Sequence, residues 1–237
     1  MRKLWALATA LGVILAAWPP AFAYEAVEVK DGATIEGTIK YEGTPPAREK
    51  PEATKDKEVC GKADLSEDLI VGSDKGIANV VVMLTNVQKG KKWPAAKPTL
   101  VQKGCDFQPH VLVIPAGVEV EIKNDDGILH NVHTFSTKNP SLNRNQPRFR
   151  KVMTTKFDQP EIIKVTCDAH NWMLGWFVVS DDPYVAVTDR QGHFEIKDVP
   201  AGSYKVEIWH EKLGNETKDV TVRAGETVAL GLNLKGK

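Results

Sequence analysis

Short runs of alternating apolar and polar residues, broken by Gly, Pro, Asn and Asp, recur from residue 35 to residue 234. Val118, Val120 and Ile122 alternate with charged residues, for example. Such alternation puts successive side chains on opposite faces of a strand, one of them toward a core. After residue 23 no segment shows the period of a helix. The pattern predicts an all-β fold of the sandwich or barrel type.

The first 23 residues have a different character. Arg2 and Lys3 precede an almost unbroken apolar stretch, and Ala21-Phe22-Ala23 has the form of a cleavage site. This predicts a secretory signal peptide over residues 1–23, a mature chain that begins at Tyr24, and a periplasmic or secreted protein. A retained membrane anchor is the alternative, but the apolar stretch is short for one. We expect no membrane span after cleavage.

The charge balance limits the class of partner. The chain has 31 basic and 31 acidic residues, and loss of Arg2 and Lys3 would make it slightly negative. This argues against a dedicated nucleic-acid binder and leaves the oligomeric state open. Residues 42–58 and 137–151 read as loops. The second of these is basic and could dock an acidic partner, although such a stretch is more often merely solvated.

Three cysteines occur, Cys60, Cys105 and Cys167. In an oxidising compartment two of them tend to pair, and a third that stays free is prone to oxidation unless something occupies it. We predict a Cys60–Cys105 disulfide. The other pairings would leave Cys60 or Cys105 single, and neither of these has His or Met neighbours at ligand spacing.

The segment from Cys167 to Met173, with the sequence CDAHNWM, places a thiolate, an imidazole and a thioether in one short loop between two apolar runs. Two imidazoles, a thiolate and a weak axial thioether are the ligands of a mononuclear blue-copper electron-transfer site. His130, on an upstream strand, offers the second imidazole. We therefore predict one copper ion, Cu(I) or Cu(II), bound by His130, Cys167, His170 and Met173.

Other assignments compete with this one. His133 competes with His130, but a regular strand sends the two to opposite faces, and His130 shares its face with Val132. His133 and His110 are predicted to neighbour the site, and either could join or replace a ligand. Cys167 could instead be a buried structural cysteine, and Met173 could be core filler.

From Thr99 to Ser180 the chain resembles a cupredoxin. Phe107-Gln108-Pro109 is similar to the strand start of that family, and Pro115-Ala116-Gly117-Val118 to its next turn. The C-x-x-H-x-x-M spacing resembles the short ligand loop of amicyanin-type proteins, in a family that also includes plastocyanin. The resemblance implies a Greek-key β-barrel or sandwich with a blue-copper site, in which Asn131 braces the ligand loop.

From Pro183 to Gly214 the chain resembles a carboxypeptidase-regulatory-like, or transthyretin-like, β-sandwich. Val187-Thr188-Asp189-Arg190-Gln191-Gly192-His193-Phe194 carries the resemblance. The first strands of such a domain are found far upstream, at residues 32–41 and 77–86. We therefore predict a smaller discontinuous sandwich over residues 24–96 and 181–237, interrupted by a cupredoxin domain over residues 97–180. This arrangement also resembles exported methylamine-utilisation-like proteins.

Three functions fit these features. The first is an exported one-electron carrier, not an enzyme, that serves redox partner proteins. The second is a copper carrier or sensor with the same ligands. The third is a non-redox module that binds sugar or protein and has a degenerate copper loop. Fold alone does not decide between them, because function resides in the site.

Overall fold

The structure is a computed structural model that describes residues 24–61 and 65–236, so the predicted signal peptide lies outside it. The strands of the first half are β1 (Glu25–Ala26), β2 (Ala33–Glu42), β3 (Val81–Thr85), β4 (Lys89–Gly90), β5 (Thr99–Gln102), β6 (Phe107–Gln108), β7 (Val111–Pro115) and β8 (Glu119–Asn124). The second half contains β9 (His130–Phe135), β10 (Asn143–Gln146), β11 (Val152–Lys156), β12 (Glu161–Thr166), β13 (Leu174–Ser180), β14 (Val185–Val187), β15 (His193–Val199), β16 (Gly202–His210), β17 (Gly214–Val222), β18 (Thr227–Ala229) and β19 (Leu232–Lys235). One short helix, α1 (Lys57–Cys60), completes the described elements.

The predicted all-β class is confirmed over the described residues. In β8, Val120 and Ile122 are fully buried, and Glu119, Glu121 and Lys123, which alternate with them, are not. Burial of one such aliphatic side chain stabilises the fold by about 1.5–3 kcal/mol. Among the residues described, no helix combines the length and the apolar character that a membrane crossing requires.

Strands β5 to β13 form a sandwich of two sheets, called the central sandwich here. One sheet has the order β10-β9-β12-β13-β7 and the other the order β11-β8-β5-β6. Ile122 from the second sheet and Ile163 and Phe177 from the first lie in one buried cluster. Strands β9 and β12 are antiparallel neighbours, with His133 opposite Thr166. The start of β9 therefore lies beside the loop that follows β12.

A second sandwich, the flanking sandwich, uses strands from both ends of the chain. Strand β2 pairs with β15, β18 and β19, and β3 pairs with β14 and β16, which pairs in turn with β17. Ile35 on β2 and Val82 on β3 face each other across one buried core with Ile208 on β16. Strands from before and after the central sandwich thus share two sheets. The predicted domain bounds, residues 24–96 with 181–237 around residues 97–180, stay a prediction.

The two sandwiches pack directly on each other. Val81 of the flanking sandwich is buried against Val111 and Val178 of the central one. Trp176 and Trp209 meet edge to face across the same boundary, with ring centroids 4.9 Å apart. Beside this cluster the imidazole of His110 on the central sandwich bonds to the carboxylate of Glu211 on the flanking one. The boundary therefore combines apolar packing with a buried polar pair.

The predicted loop 42–58 is open chain except for α1, and residues 44–60, called the strap here, run across the central sandwich. The strap ends at Cys60, which forms the predicted disulfide with Cys105. Arg48 also holds it, because its side chain donates to the backbone carbonyls of Leu65 and Ser66 at 2.8 and 2.9 Å. The predicted loop 137–151 differs from expectation in one part, where residues 143–146 form strand β10 on the free edge of β9.

Candidate metal centre

Three of the four predicted ligands converge at one end of the central sandwich. His130 begins β9, and Cys167 and His170 lie in the loop between β12 and β13. The Nδ1 atoms of the two imidazoles are 3.0 Å apart, and the Cys167 Sγ is 3.7 Å from the Nδ1 of His170. All three ligand atoms lie within 4.8 Å of one another, in side chains that are at most 2 % exposed.

These separations suit a single ion. Metal bonds of about 2.0 Å to nitrogen and about 2.3 Å to sulfur allow two nitrogens up to about 4.0 Å apart, and nitrogen and sulfur up to about 4.3 Å apart, on one ion. The observed 3.0 and 3.7 Å fall inside both limits. Two imidazoles and a thiolate also form a donor set that favours copper or zinc over magnesium or calcium.

Each imidazole has a carboxylate behind it. The outer nitrogen, Nε2, of His130 bonds to Asp126 Oδ2 at 2.8 Å, and that of His170 bonds to Asp56 Oδ2 at 2.8 Å. A carboxylate accepts a proton-bearing nitrogen, so each Nε2 donates and each Nδ1 keeps its lone pair. Carboxylates in this position fix the tautomer and raise the basicity of a metal-binding imidazole. Both Nδ1 atoms are therefore free to bind an ion, and they lie 3.0 Å apart.

The sulfur of Cys167 lies in a polar setting although it is buried. The backbone N–H of Asn131 donates to it at 3.3 Å. Burial by itself raises the pKa of the Cys167 thiol, but the adjacent His130 imidazole and the hydrogen bond from the Asn131 N–H outweigh it and hold the pKa below its usual value. The thiolate is the form that binds metals, so this environment favours the ligand state.

Asn131 braces the loop, as the resemblance implies. Its amide nitrogen donates to the side chains of Asn143 and Asn145 on β10, at 2.8 and 3.2 Å. Its amide oxygen accepts the backbone N–H of Asp168 at 3.3 Å. One side chain thus ties β9, β10 and the ligand loop together without being a donor to the ion.

Met173 lies at the end of the same loop. Its backbone N–H donates to the carbonyl of His170 at 3.0 Å, which closes a tight turn. Its side chain is 1 % exposed and shares a buried cluster with Cys167 and Phe177. An axial thioether role for Met173 remains a prediction.

The two other candidate histidines, His133 and His110, lie outside this group. His133 is partly exposed on β9, bonds to Asp168 at 3.0 Å and stacks on Phe135. His110 is buried against Glu211 at the boundary between the sandwiches. The structure therefore places neither one with the three converging donors.

Sequence reasoning missed the two carboxylates behind the imidazoles. Asp126 carries a usable signal, because it lies four residues before His130 in the loop that leads into β9. Asp56 gives none, since it is 114 residues from His170 and reaches it only because the strap folds over the sandwich. Asp126 also accepts the backbone N–H groups of Gly104 and Cys105, at 2.6 and 2.9 Å.

We expect Asp126→Asn to weaken metal binding by about 10-fold to 100-fold, because a neutral amide supports the His130 imidazole less well. Competition with a chelator of known affinity measures the effect. The control is Asp125→Asn, whose carboxylate makes no hydrogen bond or ion pair in the described structure. Equal affinity in the two variants would contradict the role of Asp126.

A family model described as polysaccharide lyase family 4, domain II, matches residues 162–230, which is less than half of the chain. The match begins in β12 of the central sandwich and runs past β18 of the flanking one. No curated protein gives a significant match. The resemblance of residues 183–214 to a carboxypeptidase-regulatory-like domain stays a prediction.

Solved structures similar to this chain include copper proteins. A copper-containing nitrite reductase from Thermus scotoductus SA-01 matches at 23 % identity and TM-score 0.34, over 39 % of this chain and 24 % of that one. A purple cupredoxin from Nitrosopumilus maritimus matches at 21 % identity and TM-score 0.30, over 35 % of this chain and 100 % of that one. Amicyanin from Paracoccus versutus matches at 18 % identity and TM-score 0.31, over 42 % of this chain and 97 % of that one. The chain thus spans about a quarter of the reductase.

Proposed function

We propose that this chain is an exported mononuclear copper protein that carries single electrons between partner proteins. His130, Cys167 and His170 would hold the ion, with Met173 as a weak axial ligand. One observation supports this above all others: two imidazole lone pairs and a sulfur converge within 4.8 Å in a buried pocket. Bound there, copper would supply one-electron chemistry between Cu(I) and Cu(II).

The protein's own part is to keep the donors still. Strands β9 and β12 fix the backbone on either side of the centre, and Asn131 joins them to β10. Asp126 and Asp56 hold the two imidazoles from behind. A donor set that cannot rearrange suits both charge states of the ion and keeps the cost of electron transfer low. We propose a carrier rather than an enzyme, because catalytic metal sites keep a position open and these donors are buried.

The visible spectrum of the copper-loaded protein tests the proposal. We expect an intense absorption band from thiolate-to-copper charge transfer, and we expect Cys167→Ser to abolish it. As a control, the unfolding curve of Cys167→Ser should show that the variant is folded. Loss of the band then reports loss of the thiolate and not loss of the fold. A colourless copper complex of the wild-type protein would contradict the proposed centre.

A copper carrier is the second candidate, and one cavity favours it. This cavity, of about 300 Å³, lies beside the ligand loop and is lined by Met173, Trp172 and several carboxylates, among them Asp106. It could admit a metal ion from the side of Met173. Transfer of copper to a chelator within minutes would favour a carrier, and retention over hours would favour the electron carrier.

A further inference from the structure

A tight turn carries the basic loop to the metal end of the central sandwich. Gln146, the last residue of β10, pairs with His130. The chain then turns, and the N–H of Arg150 donates to the carbonyl of Pro147 at 2.8 Å. The carbonyl of Lys151 accepts the N–H of Asn124 at 2.9 Å. Residues 147–151, called the cationic turn here, thus lie between β10 and the loop that leads to His130.

The cationic turn has three positive charges in four successive residues. Arg148, Arg150 and Lys151 are all exposed. In the part of the chain that the structure describes, none of the three takes part in an ion pair. The whole chain has a formal net charge of zero, so the three charges form a local concentration.

An aromatic side chain stands in the middle of these charges. Phe149 is 80 % exposed. Val152, three residues further on, and Leu129, in the loop that leads to His130, are each 47 % exposed. Single exposed apolar residues are ordinary on a protein surface. An exposed aromatic between two arginines is different, because Phe and Arg are both enriched at protein interfaces. The turn therefore has the composition of a contact surface.

We propose that Arg148, Phe149, Arg150 and Lys151 dock an acidic protein that exchanges an electron with the metal centre. This inference rests on the proposed function and names the partner of that same site. The partner presents carboxylates around an apolar recess that takes Phe149. One electron passes from the reduced metal centre, which is oxidised, to the partner, which is reduced by one electron.

The position of the turn supports a redox partner. Both imidazoles are fully buried, with the outer nitrogen of His170 covered by Asp56 of the strap and that of His130 by Asp126 in the loop beside the cationic turn. The cationic turn lies on the side of His130, since β10 pairs with β9 there. A nucleic acid is disfavoured, because one aromatic residue offers no series of stacking platforms.

The first test measures docking without metal. The probe is an unlabelled synthetic peptide that alternates Glu and Leu, added to ¹⁵N-labelled metal-free wild type and, separately, to the charge-reversed variant with Arg148→Glu, Arg150→Glu and Lys151→Glu, which should show no shift changes. We expect amide shift changes confined to residues 147–151 and the surroundings of Leu129, and we expect them to vanish at high salt. Changes spread over the surface or centred elsewhere would overturn the proposal, whatever the outcome for copper.

The second test measures electron transfer, with hexacyanoferrate(III) as a trianionic oxidant. It takes one electron from the reduced, copper-loaded protein and becomes hexacyanoferrate(II). At low ionic strength we expect the charge-reversed variant to react at least about tenfold more slowly than wild type, because electrostatic steering is lost. Both proteins must first show the same visible band, which separates failure of docking from failure of the proposed centre.

The matched control carries three charge reversals on the flanking sandwich, Lys40→Glu, Lys218→Glu and Lys235→Glu. It has the same net charge as the charge-reversed variant, so equal slowing of the two would overturn the proposal. Phe149→Ser should leave the rate with the small oxidant unchanged and should weaken the docking shifts. Binding of wild type to anionic phosphatidylglycerol vesicles, lost on charge reversal, would assign the surface to a membrane and overturn the protein partner.

Discussion

Replacing Cys60 and Cys105 together by Ala is expected to lower the free energy of unfolding by about 4 kcal/mol. The disulfide joins residues 45 positions apart, and a cross-link over that separation removes about this much loop entropy from the unfolded chain. Both residues are buried, at 0 % and 1 % exposure, so the change also leaves small gaps in the core. Chemical denaturation, with the slope compared between the two proteins, measures the effect.

The same double variant should bind metal more weakly. The disulfide anchors the end of the strap, and the strap brings Asp56 to the Nε2 of His170. Loss of a carboxylate behind a ligand imidazole lowers affinity by about 10-fold to 100-fold.

A reducing agent provides the control for the stability prediction, since it should destabilise the wild type and leave the stability of the double variant unchanged. Stability within about 1 kcal/mol of wild type would contradict the first expectation.

The second large effect is expected at the boundary between the sandwiches, where Glu211→Ala should cost about 3–5 kcal/mol of stability. The side chains of His110 and Glu211 are 3 % and 6 % exposed. Removal of one member of a buried pair leaves the other without compensation. Here it would leave His110 with neither ring nitrogen bonded, because its Nδ1 already has no partner.

The cost of Glu211→Ala should depend on pH. Burial by itself lowers the pKa of His110, but the hydrogen bond and charge of Glu211 outweigh it and raise the pKa above its ordinary value. A histidine whose pKa is higher in the folded than in the unfolded protein stabilises the fold. This stabilisation is complete below the unfolded pKa of about 6.5 and is lost as the pH rises through the folded pKa. The difference in the free energy of unfolding between wild type and Glu211→Ala should therefore become smaller as the pH rises above the folded pKa of His110.

Glu216→Ala on β17 is the matched control, because Glu216 is exposed and makes no ion pair in the described structure. We expect it to change stability by less than about 0.5 kcal/mol at any pH. A difference in unfolding free energy between wild type and Glu211→Ala that widens with rising pH would contradict a His110 pKa raised by Glu211.

The alternation of apolar residues was enough to predict the sandwiches, since one buried face per strand dictates the period of two. The sequence was also enough to predict the three converging ligand residues. His130 begins one strand, Cys167 follows another, and the two strands are neighbours in the sheet. Residue type and strand ends carry that information, so the sequence could supply it.

The partners of the histidines could not be predicted in the same way. His110 meets Glu211 across 101 residues, and His170 meets Asp56 across 114. These contacts depend on how the flanking sandwich and the strap settle on the central sandwich. No local pattern encodes that packing, because it is decided by surfaces that exist only after both sandwiches have folded. Strand β10 was missed for a related reason: it is held by pairing with β9 and has only one buried residue, Gln146.

The cystine has one more consequence, for the order of maturation. The sulfur of Cys105 lies within 4.8 Å of ligand atoms of Asp126 and His130. As half of a cystine it has no thiolate to offer, but before oxidation it does. If the proposed function holds, a chain that met metal before oxidation would present two competing thiolates around His130, a softer environment that suits zinc or Cu(I). Oxidation would then have to precede metal loading for His130, Cys167 and His170 to act alone.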